Sequence, residues 1–501
     1  LGWVSCNGSE DAGDGEFVKT LGEFKEAHDP TYKILAPTVI YGRELKPAKR
    51  FLITAAQNAT PVHKTWWRVL RTMTKKLGAE LLVIPLRYKN PTSQWSGSQR
   101  NAEYWATEVR PFMWNVRYPL NANLTVLADL KVQPTMSSPL SGAEAVSLES
   151  SGIIGHTKLQ LRSIPTAPGR MAKLLTTTGV CTEPNYTDSR AGRIGEFHHS
   201  LSAVLVEVDG KRFHLRPVHF DAKTQSCTDL ETRYTVRGAD RAPRPLALVM
   251  GDTHVDAICP LVERATFGLG GIVETLNPQH LIWHDLLDSY SVNPHHAGNP
   301  FNAVAKRQTG TDDARAEVQR AIEFVAKRTT KDRESVVVGS NHNDMLRRWV
   351  VSNDWRRDPV NAEFYLETAL AMVRGTKLTG KGTEYPDPFA HWFRQAKVPN
   401  TRVLDLDEDF MLGGVELGMH GDQGPNGARG SIHNLRRIGV KSIFGHAHTP
   451  GIDEGAYQTG TSTRLQLEYV HGPSSWLNCH CALHADGKRQ LIFIIDGKFR
   501  L

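Results

Sequence analysis

Five short polar motifs recur in order through the second half of the chain: Gly251-Asp252-Thr253-His254, His284-Asp285, Ser340-Asn341-His342, His420-Gly421 and Gly445-His446-Ala447-His448. Imidazole and carboxylate together suit borderline and hard divalent ions, and the Asn amide oxygen adds a neutral hard ligand, so the mixture favours Mn, Fe or Zn over Ca. No thiolate occurs in the set, which argues against a closed structural zinc site. Each motif follows a run that reads as a buried strand, so the loops are expected to gather at one edge of a sheet, where α/β proteins do chemistry.

The ordered set resembles the calcineurin-like metallophosphoesterase superfamily, whose pattern reads DxH, GD, GNH, H and GHxH. The resemblance covers about 245–501. It implies one ion held by Asp252, His254, Asp285 and His448, and a second held by Asp285, Asn341, His420 and His446, with Asp285 bridging. It assigns His342 the protonation of the leaving oxygen, because an ionisable imidazole next to the ligand Asn341 stands near the substrate but outside the ligand set. Two ions in such a site clamp the attacking and leaving oxygens of an in-line displacement. Two carboxylates among neutral ligands leave the cluster net positive and attractive to phosphate. The chain departs from the family at His284, usually Gly, and at Ser340, which stands between Gly339 and Asn341. Neither departure removes a ligand. Singly, each motif is weak, since His-x-His and Asp-x-His arise by chance. Their order and their placement after apolar runs carry the reading.

Phosphoprotein phosphatases of the superfamily grip a phosphomonoester with arginines beside the second and third motifs. Here 284–288 and 340–344 contain no Arg. A diester carries one charge and depends less on such a clamp. The Gly-rich stretch 420–431 can bring Arg429 and backbone N–H groups toward a phosphate.

Charge distribution points the same way. Of the net +7, the stretch 43–118 alone carries +10, with fourteen Lys or Arg against Glu44, Glu80, Glu103 and Glu108. Trp66, Trp67, Trp95, Trp105 and Trp114 lie in the same stretch, five of the eleven tryptophans. Basic residues interleaved with aromatics form the footprint of a nucleic-acid surface, against the plainer reading of core tryptophans under a solvated charged face. Within it, a strand over 51–54, a helix over 65–77 and a strand over 81–85 make a βαβ unit. Trp67, Leu70, Thr74 and Leu77 would form the helix's core row, and Lys64, Arg68, Arg71 and Lys75 an adjoining basic row able to meet phosphate.

A length of 501 residues suggests two domains. The expected division is an arm over 1–30, a basic α/β accessory domain over 31–240 and a metallophosphoesterase domain over 241–501. The Arg- and Pro-containing stretch 233–245 would link the last two, so the fold class is α/β: a layered metallophosphoesterase core with a separate N-terminal α/β domain. In the first half, 201–208 and 211–217 read as strands joined by an Asp209-Gly210 turn. Motif-bearing strands are expected over 246–250, 280–283, 335–338 and 441–444, helices over 311–327 and from Asp358-Pro359 to about Gly375, and a closing hairpin around Asp486-Gly487.

Six cysteines are too sparse for a disulfide framework, and Cys479-His480-Cys481, although it invites a zinc reading with His484, fits buried thiols on a strand better. No apolar run approaches the length of a membrane span and no signal-peptide pattern opens the chain, so a cytoplasmic protein is expected; Leu1 in place of Met leaves open whether residues precede it.

The layout of a basic domain ahead of a phosphoesterase domain, with 51–58 opening the first, is similar to phage-encoded proteins of the superfamily, in particular pre-early DNA-transfer proteins associated with degradation of host DNA. That resemblance implies a Mn-dependent DNase, with Mg, Fe or Zn as alternative ions, DNA as partner and a homo-oligomer as a further expectation. Two other classes stay open. One is a phosphoesterase of nucleotides or cyclic dinucleotides, and the other is a DNA-binding or transfer scaffold that retains the metal fold.

Overall fold

The computed structural model describes residues 48–88, 105–296, 298–380, 382–468 and 470–501. The expected arm over 1–30, and Trp95, lie outside the described residues. Three sheets of six, ten and seven strands organise the chain, with helices against them, so the fold class is α/β.

The six-stranded sheet runs Thr401–Val403, Glu334–Val337, His280–Trp283, Ala247–Val249, Cys479–Leu483, Arg489–Phe493. The first four strands are parallel, and the closing hairpin adds antiparallel to Ala247–Val249. Parallel strands need crossovers and are covered on both faces, which is why they read as unbroken apolar runs. Alternation sorts their side chains between two cores. Leu248, Leu281, Trp283 and Val337 pack under helices that include Ala314–Ala326, Met345–Ser352 and Pro388–Gln395. Val249, Ile282, Val336, Cys479 and Cys481 face the other way, into a core shared with Val415, Ile443, Ile452 and Tyr457 of the ten-stranded sheet. Two sheets thus meet face to face across one apolar layer.

The ten-stranded sheet runs across residue 240. Gly451–Asp453 pairs antiparallel with Gln160–Ile164, which continues through Lys173–Thr177, Ser151–Ile154 and Leu124–Leu127 to Arg117–Asn121. Ile53, Val126 and Val206 from the first half lie in the same apolar core as Ile282 and Ile443 from the second.

The seven-stranded sheet contains the βαβ unit: Arg50–Gln57 and Glu80–Leu86 are parallel, joined by the helix Lys64–Leu77. That helix starts where His63 accepts the Trp66 N–H, and it stops at Gly78, whose left-handed φ of 59° suits glycine. It buries Trp66, Trp67, Val69, Leu70 and Met73 and leaves Lys64, Arg68, Arg71 and Lys75 exposed. Ser202–Asp209 and Arg212–Asp221 form the expected hairpin, with Gly210 at φ 59° in its turn.

Three expectations need correction. The tryptophans of the basic stretch are core residues: Trp66, Trp67, Trp105 and Trp114 are buried, and the Trp66 and Trp105 ring N–H groups donate to the carbonyls of Val180 and Ala56. They are not available for base stacking. The stretch 233–245 is not a linker, because Thr232–Tyr234 and Ala239–Arg241 are strands at the edge of the seven-stranded sheet. The helix expected from Asp358-Pro359 begins at Ala362, while the Asp358 side chain accepts from the Asn361 amide ahead of its first turn.

Candidate metal centre

The five motifs leave the ends of five strands on two facing sheets. Asp252 and His254 follow Ala247–Val249, His284 and Asp285 follow His280–Trp283, and Asn341 and His342 follow Glu334–Val337. From the opposite sheet, His420 follows Val415–Glu416, and His446 and His448 follow Lys441–Phe444. Backbone bonds pin the turns to one another: Thr253 N–H donates to His284 O, His254 N–H to Asp285 O at 2.7 Å, and Gly445 N–H to His420 O at 2.9 Å.

Asp252, His254, Asp285 and His448 form a buried group whose ligand atoms all lie within 4.8 Å of one another. Nε2 of His448 is 3.1 Å from Asp252 Oδ2 and 3.2 Å from Nε2 of His254. Beside this group, His420 Nε2 lies 3.1 Å from both Asp285 Oδ2 and Asn341 Oδ1, and His446 Nδ1 lies 3.1 Å from the same Asn341 oxygen. All seven residues expected as metal ligands are therefore brought together, and Asp285 touches both halves through His254 and His420. His342 stands at the rim, its ring edge-to-face with His254 at 4.6 Å.

Whether this group suits a cation can be judged from its unfilled valences. Both Asp252 carboxylate oxygens, His254 Nδ1, His448 Nδ1 and Asp288 Oδ1 are buried without a hydrogen-bond partner among the described residues. Asp252 Oδ2 does lie near His448, and Asp288 Oδ1 near His254 Nδ1, but these approaches have the distance of ion pairs and not the directionality of hydrogen bonds. Buried polar atoms are normally satisfied, so orphans concentrated on one His/Asp group mark a position for a positive ion. This buried group can hold a metal ion.

Electrostatics agree. Burial alone would lower His254, but Asp288, Asp285 and Asp252 raise it to about 9, and Asp285 and Asp252 raise His420 to about 9 against the same opposition. Burial would push Asp285 up, yet His420, His342 and His254 hold it well below the usual carboxylate range. The carboxylates thus call for positive charge, whether proton or metal. His342 and His446 are lowered, chiefly by burial.

The backbone is strained at the same residues. His254, Asp285, His446 and His448 adopt positive φ of 39°, 42°, 74° and 56°. Non-glycine residues avoid this region, and such strain collects where function demands a particular side-chain direction. Gly445 has a steric reason: a Cβ there would sit 2.1 Å from Asp252 Oδ1.

Three further residues shape the site with little signal in the sequence. Asp288, a carboxylate three residues after Asp285, is 3.3 Å from His254 Nδ1, and its backbone oxygen accepts from His342 Nδ1 at 3.1 Å. His480 Nδ1 accepts the Gly251 N–H at 2.9 Å while Nε2 meets Thr266 Oγ1, so this histidine props the Asp252 turn and is neither free nor part of a Cys/His zinc site. Trp476 packs edge-to-face on His448 with ring centroids 4.1 Å apart. His284, the departure from the family Gly, is buried against His420 with Nδ1 atoms 3.4 Å apart, and burial lowers it to about 4, so it is a neutral packing partner. Arg429 is exposed on the loop after His420, and no side-chain contact joins it to the cluster among the described residues.

Fold and site together define an α/β protein in which loops from two sheets gather a buried His/Asp group able to hold a metal ion. The chain is 30% identical over 476 residues to Protein A1 of Escherichia phage T5, a match spanning 91% of this chain and 84% of that protein, and it belongs to the same family. No protein-family model matches the sequence, and no solved structure matches it. No helix among the described residues is long and apolar enough to cross a membrane.

Proposed function

We propose that this chain is a metal-dependent phosphodiesterase acting on DNA, of the calcineurin-like metallophosphoesterase type. The observation that carries the reading is the buried group of Asp252, His254, Asp285 and His448, with partnerless buried oxygens and nitrogens among them and with His420, Asn341 and His446 in contact beside Asp285. Asp252, His254, Asp285 and His448 would hold one ion, and Asp285, Asn341, His420 and His446 a second; the N/O donor mixture suits Mn, Fe or Zn, and Mn is the ion the family resemblance favours. Bound divalent ions supply Lewis-acid polarisation of the phosphate and a water acidic enough to lose its proton at neutral pH.

The chain's own groups do the rest. His342 Nδ1 is occupied by the Asp288 carbonyl, which leaves Nε2 to hand a proton to the leaving oxygen. Burial lowers its pKa, which makes the ring a readier proton donor once protonated, and Asp285 and Asp288 oppose that shift only in part. A phosphomonoester clamp finds little support: the nearest arginines after the third motif, Arg347 and Arg348, are both engaged by Asp344. A diester fits better, and the exposed basic row of the Lys64–Leu77 helix suits a polyanionic one. The phage relative agrees with a phage-encoded role, for which host DNA in the cytoplasm is the substrate we favour.

The test is incubation of the protein with plasmid, single-stranded DNA, RNA and a chromogenic phosphodiester, with Mn, Mg, Zn or EDTA. DNA digestion with Mn, lost in Asp285→Ala, is expected. Turnover of the small ester with DNA left intact would instead favour a nucleotide phosphoesterase, and DNA retention without hydrolysis a scaffold.

A further inference from the structure

Beside the cation group lies a cavity of about 450 Å³ that shares Asp288 with it. Tyr290, His295 and His296 of the segment after the second motif line it, together with Asp256 and Ala257 just beyond His254 and with Arg464 and Glu468. The size is that of a site for one small organic ligand.

Four carboxylates line it, which looks hostile to a nucleic acid until their partners are counted. Asp256 accepts from Arg320 through Nε at 2.7 Å and through a terminal guanidinium nitrogen at 2.6 Å. Glu317 accepts from the Ser291 hydroxyl and from the N–H groups of Tyr290 and Ser291. Glu468 accepts from the Tyr290 hydroxyl at 3.1 Å, and Asp288 faces His254. The groups left to meet a ligand are of the opposite kind. Among the described residues Arg464 has no carboxylate partner and is exposed, His295 is exposed, and His296 carries a buried Nδ1 without a partner.

The wall is also aromatic. Tyr290 and His296 meet edge-to-face with centroids 5.0 Å apart, and Lys306, which does not line the cavity, stands 5.3 Å from the centroid of the Tyr290 ring. The hydroxyl–Glu468 bond and the backbone bonds to Glu317 fix the tyrosine in place. A fixed tyrosine ring beside an imidazole, with a guanidinium that has no carboxylate partner among the described residues, suits a heteroaromatic ring carrying a phosphate.

We propose that this cavity is a nucleobase subsite: it takes the base of the nucleotide next to the cleaved bond against Tyr290 and His296, while Arg464 holds a flanking phosphate. The assignment rests on the phosphodiesterase reading for its place in catalysis, but binding of a nucleotide there needs no metal. It also supplies what the buried tryptophans of the first half do not, an aromatic contact for the substrate.

The experiment is calorimetric titration of the full chain in EDTA with deoxyadenosine 5′-monophosphate and, separately, with 2-deoxyribose 5-phosphate, which has the phosphate and no base. The nucleotide is expected to bind at least about tenfold more tightly, and Tyr290→Ala and Arg464→Ala are each expected to weaken it about tenfold, with melting curves showing the variants folded. Equal affinity for the two ligands, no nucleotide binding at millimolar concentration, or binding indifferent to both folded variants overturns the proposal. The two readings fail separately. Nucleotide binding lost on Tyr290→Ala in a protein that hydrolyses nothing supports the subsite and sinks the phosphodiesterase, whereas DNA hydrolysis without such binding does the reverse.

Discussion

Nε2 of His254 and Nε2 of His448 lie 3.2 Å apart in a buried pocket, with Asp252 Oδ2 3.1 Å from the second and Asp285 Oδ2 3.8 Å from the first. Two bare imidazole lone pairs cannot face each other at that distance without cost, so a proton or a cation must lie between them and the carboxylates. A metal that binds the folded chain and not the unfolded one stabilises it by about 3 kcal/mol at one hundred times its dissociation constant. We therefore expect Mn to raise the melting temperature of EDTA-treated protein, and Asp252→Ala to lose the rise. Identical melting curves for both proteins with and without Mn would remove the cation from this site.

The contact of Trp476 with His448, 4.1 Å between centroids, gives an optical readout of the same event. Fixing or charging the imidazole changes the field at the indole. Titration with Mn should alter tryptophan emission, and Trp476→Phe should remove most of that change while the metal-induced thermal shift remains. An emission change that survives in Trp476→Phe would locate the reporter, and with it the ion, elsewhere.

Gly445 tests the geometry without touching a ligand. A methyl group there would stand 2.1 Å from Asp252 Oδ1, so Gly445→Ala must displace the carboxylate or the turn that carries His446 and His448. Metal affinity is expected to fall at least about a hundredfold, since one lost ligand geometry outweighs the 10- to 100-fold typical of changed outer-shell partners. Unchanged metal affinity in a folded Gly445→Ala protein would show that Asp252 does not bind the ion.

These relationships were unequally legible in the sequence. The strands bearing the motifs stood out because parallel strands covered on both faces read as apolar runs, and His280–Trp283 and Lys441–Phe444 keep the limits expected for them. The stretch 233–245 misled because Ala239–Arg241 is the edge strand of the seven-stranded sheet and Thr232–Tyr234 the short strand next to it, and short strands at an edge tolerate arginine and flanking proline. The tryptophans misled because composition does not record which face of a helix a residue occupies. Periodicity does: Trp67 already belonged to the core row, and Trp66 sits beside it. Asp288 carried a local signal, but its contact with His254 depends on the left-handed turn at Asp285, and Trp476 reaches His448 only through the folded sheet order.

Away from the site, His156 sets an acid limit on stability. It is fully buried, its Nδ1 accepts the Lys158 N–H at 3.0 Å and its Nε2 donates to Gln133 O at 3.1 Å, an arrangement that only the neutral ring can make. Burial lowers its pKa to about 4, against 6.5 for the free side chain. Because the folded value is depressed, the contribution is complete above pH 6.5 and is lost as pH falls from 6.5 toward 4, worth about 3 kcal/mol across that window. His214, lowered to about 4 by burial, acts in the same direction. Urea midpoints measured at pH 7 and pH 4.5 should converge more for His156→Gln than for the parent chain. Parallel losses in the two proteins would mean that His156 is already protonated in the fold.

The basic row of the Lys64–Leu77 helix makes a separable claim about DNA. Lys64, Arg68 and Arg71 are exposed on one side, while the opposite side of the helix is locked into the core by Trp66, Val69, Leu70 and Met73. Arg71 also stacks on Phe112 at 4.3 Å, which fixes its position without neutralising it. If each cation meets a phosphate, each contributes roughly 0.9 to the slope of log affinity against log salt. Reversing all three to Glu should therefore weaken DNA binding, reduce the salt slope by roughly 3, and leave hydrolysis of a small chromogenic diester intact, since none of the three contacts the cation group. Filter-binding isotherms between about 50 and 200 mM salt measure this directly. A triple variant with the parent's slope would assign DNA binding to another face of the molecule.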